Sequence, residues 1–263
     1  MNAKNIVSSL KERFQLKDHY EIAFIMGSGL DDSVPEFENK VIIPYTETEM
    51  PHSKVHGFKS KFVFGELFGK NVMMITRNHY YESANTSLVR LPFEILHEFG
   101  VKTVIMATAT GGVDKSFDVG TLMLIDDHIN FTGFNPLIAT EKIEFVDLND
   151  AYDKHLIAKT LEIAKKVDVK LEKGIHVQFS GPTYETPAEV NMIRMFGAKT
   201  VSMSTAFDTI CARYFGMKVL AFASVVNKAG IAEEIITHEM VLEASRKNSV
   251  KINKILNELV KEL

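Results

Sequence analysis

At 263 residues with 46% apolar and 10% aromatic side chains, the chain is long and apolar enough to form one large domain or two small ones, each with a substantial core. Thirty Lys and Arg against 34 Asp and Glu give a net charge of −4, without the basic excess that binding to nucleic-acid backbones requires. The single cysteine, Cys211, excludes an internal disulfide and a cysteine-rich metal site, and is typical of a reducing compartment.

The N-terminal segment carries no sign of export or membrane insertion. Residues 1–15 mix Lys and Glu in an amphipathic pattern, whereas a secretion signal has an uninterrupted apolar run. Apolar stretches elsewhere fall short of the ~18 residues that a membrane helix requires. We therefore expect a cytoplasmic protein without a membrane or nucleic-acid partner.

Short β-branched apolar runs alternate along the chain with longer amphipathic segments, and no repeat or linker separates two halves. This order predicts a single α/β domain over residues 1–263, with a mixed central β-sheet flanked by helices. The spacing of two early strands, 61–67 and 71–76, indicates an antiparallel hairpin. The predicted strands are 21–26, 61–67, 71–76, 102–107, 122–125, 175–179, 200–203 and 218–226. The predicted helices are 2–14, 90–99, 152–166, 187–196, 207–215 and 238–261.

Three of the predicted helices have legible local signals. Thr186 and Glu189 form a capping box around Pro187, and Thr205 with Asp208 forms a weaker version. The last helix has an apolar stripe at three- and four-residue spacing, which indicates core packing. That stripe is Ile252, Ile255, Leu256, Leu259 and Leu263.

Several segments resemble ligand-binding motifs only in part. Segment 27–33 has Ser33 where a dinucleotide-binding loop has its third glycine, and segment 65–71 resembles a phosphate loop but falls in the predicted hairpin. The pairs His97–Glu98 and His238–Glu239 lack the second His of a zinc-protease helix. We expect neither a dinucleotide nor a metal.

Polar residues at predicted strand ends are better candidates. Ser28, between Gly27 and Gly29, can face an anion, although a plain turn is an equal alternative. Arg77 and His79, two residues apart, would leave one face of a strand and could clamp a phosphate, although a solvated strand end is the simpler interpretation.

A second group of polar residues could recognise a flat heterocycle. Tyr184 offers a stacking face, and Glu185 could accept hydrogen bonds from the ring N–H groups of a purine, unless it only stabilises the following helix. Asn227, at the end of an apolar strand, can both donate and accept, unless it only forms a turn. Ser204 lies near the positive end of a helix.

Ordered together, these segments resemble the trimeric-type purine nucleoside phosphorylases, in the nucleoside phosphorylase family that also includes methylthioadenosine phosphorylases. The resemblance spans nearly the whole chain. The matching segments are MGSGL (26–30), RNHYYE (77–82), TATGGV (108–113, expected to be a turn), GTLMLIDDHINFTGFNPL (120–137), DAYD (150–153), GPTYETPAE (181–189), SMST (202–205), VVNKAG (225–230) and HEMVLEAS (238–245).

The resemblance implies a homotrimeric enzyme of purine salvage that splits purine nucleosides with inorganic phosphate into base and ribose 1-phosphate, without a cofactor. It implies a phosphate site formed by Ser28, Arg77, His79, the backbone of Ala109 and Ser204. The implied ribose contacts are Tyr81, Met203, His238 and Phe145, the last reaching a neighbouring subunit. The implied base contacts are Tyr184, Glu185, Asn227 and Val201.

The chemistry of glycosidic cleavage fits these residue types. Positive charge develops on the sugar and negative charge on the leaving purine, so phosphate beside the sugar and Asn227 at purine N7 would stabilise both. Asn227, Glu185 and His79 are the expected catalytic residues. Glu185 on N1–H favours inosine or guanosine over adenosine, since N1 of adenine is itself an acceptor.

Departures from the family pattern leave two alternatives open. Phe58 occupies the position of a phosphate-contacting His, whose role either His56 or no residue takes over, and Asp31 and Asp32 replace glycines close to Ser28. A non-catalytic purine-binding protein with a lost phosphate site is therefore one alternative. A phosphorylase for adenosine or 5′-methylthioadenosine is the other alternative. His238 distinguishes these substrates, because a polar contact at the 5′ position suits a hydroxyl and not a methylthio group. Further departures are Thr108, Thr110, Ser202 and Val226.

Overall fold

A mixed β-sheet forms the centre of the molecule. The computed structural model describes residues 2–54, 60–140, 142–230 and 238–263, apart from the side chains of residues 238–240. The strands within these ranges are β1 Ile22–Met26, β2 Glu38–Pro44, β3 Lys61–Leu67, β4 Lys70–Ile75, β5 Thr103–Gly112, β6 Leu122–Asn130, β7 Glu172–Gln178, β8 Thr200–Ser202 and β9 Lys218–Lys228. The helices there are α1 Ala3–Phe14, α2 Tyr80–Ser83, α3 Thr86–Glu98, α4 Lys154–Lys166, α5 Pro187–Met195, α6 Thr205–Tyr214 and α7 His238–Leu259.

The described strands form one sheet in the order β2-β3-β4-β1-β5-β8-β7-β6-β9. Because β9 also pairs with β5, the strands β5, β8, β7, β6 and β9 close into a ring of pairings. Strand β1 is parallel to β4 and β5, and β5 is parallel to β9, so four carboxyl ends meet at one edge. Strand β7 is parallel to both β6 and β8, whereas the pairs β2–β3, β3–β4, β5–β8 and β6–β9 are antiparallel. The predicted α/β fold with a mixed sheet is confirmed.

The hairpin between β3 and β4 is also confirmed. Its turn consists of Phe68 and Gly69, with φ of +51° and +78°. Positive φ at both central residues produces a turn whose twist matches that of the flanking strands. The phosphate-loop pattern in this segment is therefore a plain turn.

The core lies around β1, β5 and β9, whose apolar residues are almost all buried. Helix α7 covers one side with Ile252, Ile255, Leu256 and Leu259, each fully buried as the stripe predicts. Leu263 is half-exposed, because the helix ends before it. In the part of the chain that the structure describes, no helix offers the long apolar stretch needed to cross a membrane.

Three local expectations were wrong. Strand β2 was not predicted, since most of its side chains are exposed and its edge position carries a bulge and Pro44. The segment TATGGV is not a turn, because residues 108–112 extend β5 and pair with β9. The N-cap of α6 is Ser204, with no side-chain capping bond, whereas the capping box of Thr186 and Glu189 is present on α5.

Candidate active site

A cavity of about 350 Å³ lies where the carboxyl ends of β1, β4, β5 and β9 meet the start of α6. In open α/β sheets, ligands bind outside these strand ends. Eleven of the sequence-predicted site residues line it: Ser28, Arg77, His79, Tyr81, Ala109, Tyr184, Glu185, Val201, Met203, Ser204 and Asn227. Two do not appear there: Phe145 is fully exposed, and the side chain of His238 lies outside the described residues.

Ser28 reaches the cavity because β1 ends against β5. The N–H of Gly27 donates to the carbonyl of Ala107 at 2.8 Å. A Cβ at Gly27 would lie 3.2 Å from Cα of Thr108 and 3.3 Å from the backbone N of Ala109, so only glycine fits without displacement. This contact places Ser28 close to the backbone of Ala109. The hydroxyl of Ser28 and the N–H of Ala109 can therefore donate to the same ligand.

A buried guanidinium lies at the same end of the cavity. Arg77 is only 2% exposed, which contradicts the alternative of a solvated strand end. It follows β4, which ends at Ile75, so a loop rather than the strand presents it. Its Nη1 donates to Oγ of Ser204 at 2.5 Å, and its Nε lies 3.2 Å from Oδ2 of Asp208.

Asp208 is a member of this cluster that the sequence interpretation missed. It was expected to support the start of α6, but it is 1% exposed and turned toward Arg77. Burial raises its pKa, and the charges of Arg77 and His79 partly lower it. Ser204 and Asp208 are one helical turn apart, so the start of α6 contributes two side-chain partners of Arg77, whose Nη2 also donates to the carbonyl of Ile25 at 3.4 Å. This pattern can be recognised in the sequence only once Arg77 is known to lie beside α6.

His79 is held by the short helix that it precedes. Its Nδ1 lies 3.0 Å from Oε1 of Glu82, and its ring stacks on Tyr81 with centroids 4.9 Å apart. Burial raises the pKa of Glu82, but hydrogen bonds from His79, the backbone N–H of Lys54 and the hydroxyl of Ser53 lower it to about 2. An ionised Glu82 therefore orients the imidazole beside Arg77.

Asn227 and Glu185 also line the cavity. Gly111 on β5 pairs with Val201 on one side and Asn227 on the other, and a Cβ at Gly111 would lie 3.2 Å from Cγ1 of Val201 and 3.6 Å from Nδ2 of Asn227. The side chains of Val201 and Asn227 therefore converge above Gly111. Asn227 is 7% exposed, and its side-chain amide has no hydrogen-bond partner among the described residues. Burial raises the pKa of Glu185. A nearly buried amide that no described residue pairs with is suited to a ligand that both donates and accepts.

A loop carries Tyr184 and Glu185 over the cavity. It follows β7, and Gly181 in it has φ of +65°. A side chain at Gly181 would overlap the sulfur of Met203 and approach Tyr81, so the loop packs directly on these two residues. The alternative in which Glu185 only stabilises α5 does not account for its place in the cavity wall.

The departures from the family pattern fall in different places. Thr108, Thr110, Ser202 and Val226 line the cavity, whereas Asp31 and Asp32 do not. Asp31 instead pairs with Lys61 at 2.9 Å, on a separate groove, so its charge is directed away from Ser28. His56 and Phe58 lie outside the described residues.

Comparisons with known proteins agree with this geometry. The family model of the phosphorylase superfamily matches residues 21–261. Purine nucleoside phosphorylase 1 of Geobacillus stearothermophilus is 36% identical, over 97% of this chain and 94% of its own, and that of Bacillus subtilis is 37% identical, over 93% of each. A purine nucleoside phosphorylase of Schistosoma mansoni, solved with adenosine, superposes with a TM-score of 0.92 at 28% identity, over 99% of this chain and 96% of its own. This chain therefore belongs to the phosphorylase superfamily and, within it, to the purine nucleoside phosphorylases.

Proposed function

We propose that this enzyme cleaves inosine and guanosine with inorganic phosphate, reversibly, to the free 6-oxopurine and ribose 1-phosphate. One observation carries the proposal. A single cavity combines a buried cation and a hydroxyl, from Arg77 and Ser204, with a carboxylate from Glu185 and an amide from Asn227 that has no side-chain hydrogen bond to any described residue. The first pair suits phosphate and the second suits the edge of a purine.

In the proposed reaction, phosphate attacks C1′ of the ribose as the bond from C1′ to N9 breaks. The bonding electrons pass to the purine, where Asn227 donates to N7 and stabilises the negative charge. The proton that the phosphate group loses as it becomes ribose 1-phosphate ends on the purine, which leaves as the neutral base. Arg77, Ser28, Ser204, His79 and the backbone N–H of Ala109 hold the phosphate beside the developing positive charge of the sugar. Positioning and electrostatics suffice, so no protein nucleophile and no cofactor takes part.

The preference for 6-oxopurines depends on Glu185. An ionised carboxylate accepts a hydrogen bond from N1–H of hypoxanthine or guanine, but faces a lone pair on N1 of adenine. Solved structures of Schistosoma purine nucleoside phosphorylases contain inosine, guanosine and hypoxanthine, and a further purine nucleoside phosphorylase structure contains ribose 1-phosphate, which supports this substrate class. Because another contains adenosine, adenosine is a second candidate substrate.

The non-catalytic alternative loses much of its basis. It depended on Asp31, which does not line the cavity, and on Phe58. A buried Arg77 paired with Ser204 is the arrangement of an intact anion site.

We further propose that the enzyme is a homotrimer in which Phe145 closes the ribose site of a neighbour, beside Tyr81, Met203 and His238. Phe145 is 100% exposed, as expected of a residue that packs only on another subunit. Exposed apolar side chains on the same segment support this: Phe131, Phe134, Ile138 and Ile143. Light scattering would give the mass of a trimer, and Phe145→Ala would raise the KM for inosine. We also propose that the enzyme is cytoplasmic and that it takes part in purine salvage.

The decisive experiment measures base release from inosine, guanosine, adenosine and 5′-methylthioadenosine, each with and without phosphate. We expect phosphate-dependent release that is fastest for the two 6-oxopurine nucleosides. Binding of hypoxanthine without phosphate-dependent turnover would refute the proposal and favour the non-catalytic alternative. Faster release from methylthioadenosine would refute the substrate assignment alone.

A further inference from the structure

A buried imidazole connects the cavity to the interior of the sheet. His176 on β7 is fully buried and faces the neighbouring parallel strand β8. Its Nδ1 lies 2.9 Å from Oγ1 of Thr200, and its Nε2 lies 2.9 Å from Oγ of Ser202. Thr200 is fully buried, whereas Ser202 lines the cavity. The three side chains form one hydrogen-bonded chain that ends at the cavity wall.

The protonation state of His176 limits what this chain can do. Burial, together with nearby His128 and Arg77, lowers the pKa of His176 to about 3, so the ring is neutral near pH 7. A neutral imidazole has one N–H donor and one acceptor nitrogen. Therefore one hydroxyl donates to the ring and the other accepts from it.

The two tautomers give Ser202 opposite character. With the proton on Nδ1, His176 donates to Thr200 and accepts from Ser202, which then presents only lone pairs to the cavity. With the proton on Nε2, His176 donates to Ser202, whose own hydroxyl proton is then available to a ligand. Moving one proton within a buried ring thus converts an acceptor into a donor.

We propose that Ser202 contacts the base of the bound nucleoside, and that His176 and Thr200 set whether its hydroxyl donates or accepts. Ser202 directly follows Val201, and Val201 pairs with Gly111, which also pairs with Asn227. Ser202 therefore lies in the part of the cavity where Asn227 is proposed to bind the base. The C6 oxygen of a 6-oxopurine accepts a hydrogen bond, whereas the C6 amino group of adenine donates one. An adaptable hydroxyl serves both, so adenosine should be a slower but measurable substrate. This inference rests on the proposed function.

The test compares Ser202→Ala and Thr200→Val with wild type, using inosine and adenosine with phosphate. Ser202→Ala should lower kcat/KM about fivefold for both substrates, the effect of one lost hydrogen bond. Thr200→Val keeps the side-chain shape and Ser202 but removes the partner of Nδ1, so it should change the inosine to adenosine ratio of kcat/KM at least about threefold. Thr160→Val is the matched control, since Thr160 is equally buried and lies outside the cavity lining.

Nitrogen NMR of wild-type protein with labelled histidine provides a readout that does not depend on the variants folding. We expect different tautomers of His176 in the hypoxanthine and adenine complexes. The same tautomer in both, kinetic values of both variants within twofold of wild type, or no turnover of adenosine would each overturn this inference. Absence of phosphate-dependent release from every purine nucleoside would instead refute the proposed function.

Discussion

The residues that line the cavity are held in two different ways. Asn227 lies in β9, Ser204 is the N-cap of α6, and Arg77 lies two residues after β4, and each is at least nine-tenths buried. Tyr184 and Glu185 lie on a loop, and Tyr184 is 54% exposed. The buried group carries the positive charge and the amide that no described residue pairs with, whereas the loop offers an aromatic face and one carboxylate.

This difference indicates that the buried residues and the loop residues have separate roles in the reaction. Groups that must meet developing charge work best when their neighbours hold them rigidly, because no reorganisation is then needed during the reaction. A loop with fewer contacts can adjust to different bases with a smaller loss of free energy. Changes in the buried group should therefore affect turnover and stability, and changes in the loop should affect selectivity.

The largest effect is expected for Arg77→Leu. The change removes the cation of the phosphate site and leaves Asp208, 1% exposed, without its partner. Turnover should disappear, and the free energy of unfolding should fall by about 3 kcal/mol in urea titrations at pH 7. The stability loss should shrink when Asp208→Asn is added. An equally large loss in the double variant would show that the ion pair is not its cause.

Asn227→Ala should reduce turnover of inosine by about 10²- to 10³-fold, the typical effect of removing one donor to a developing charge. The melting temperature should stay near that of wild type, since the amide has no partner among the described residues. Asn5→Ala, an exposed change on α1, is the control. Unchanged turnover would remove Asn227 from the mechanism.

On the loop, Glu185→Gln should lower kcat/KM for inosine by about 10- to 100-fold through the loss of a charged acceptor. The kcat/KM for adenosine should fall less, so the preference for inosine over adenosine becomes smaller. Glu162→Gln on the exposed side of α4 controls for the loss of one negative charge. Equal losses on both substrates would show that Glu185 does not read the base.

The same residue predicts a pH dependence. Burial raises the pKa of Glu185, so the carboxylate takes up a proton at higher pH than an ordinary Glu as the solution is acidified. The protonated form no longer accepts from N1–H, so kcat/KM for inosine should decline on the acid side with a midpoint above 4.5. Glu185→Gln should lack this decline, while the titration of phosphate itself affects both proteins alike.

The smallest effect is expected for Tyr184→Ala. A half-exposed ring that stacks on a base contributes about 1 kcal/mol, so the KM for inosine should rise about fivefold with little change in kcat. Tyr184→Phe retains the ring and should behave as wild type. A large fall in kcat for the alanine variant would contradict the division between buried and loop residues.

Much of the site could be predicted from local signals. Capping residues, strand-end glycines and isolated polar side chains after apolar runs marked Ser28, Arg77, Glu185 and Asn227, and the structure brings all four to one cavity. Strand β2 could not be predicted, because an exposed, bulged edge strand has no alternating pattern.

The partners of those residues could not be predicted in the same way. Arg77 and Asp208 are 131 positions apart, and nothing in either local sequence requires their contact. His176 and Ser202 are 26 apart and meet only because β7 and β8 are neighbours in register. Residues 108–113 are expected from the family resemblance to form a turn, but pairing with β9 and β8 keeps that segment extended.

The sequence by itself determined the α/β class, most helices and strands, and the residue types available for phosphate and purine, because these follow from periodicity and side-chain chemistry along the chain. Only the tertiary structure decided which side chains are buried, which charge faces which, and where Asp31 points. Burial and pairing depend on residues distant in sequence, and these set the pKa values, the hydrogen-bond partners and the rigidity of the site.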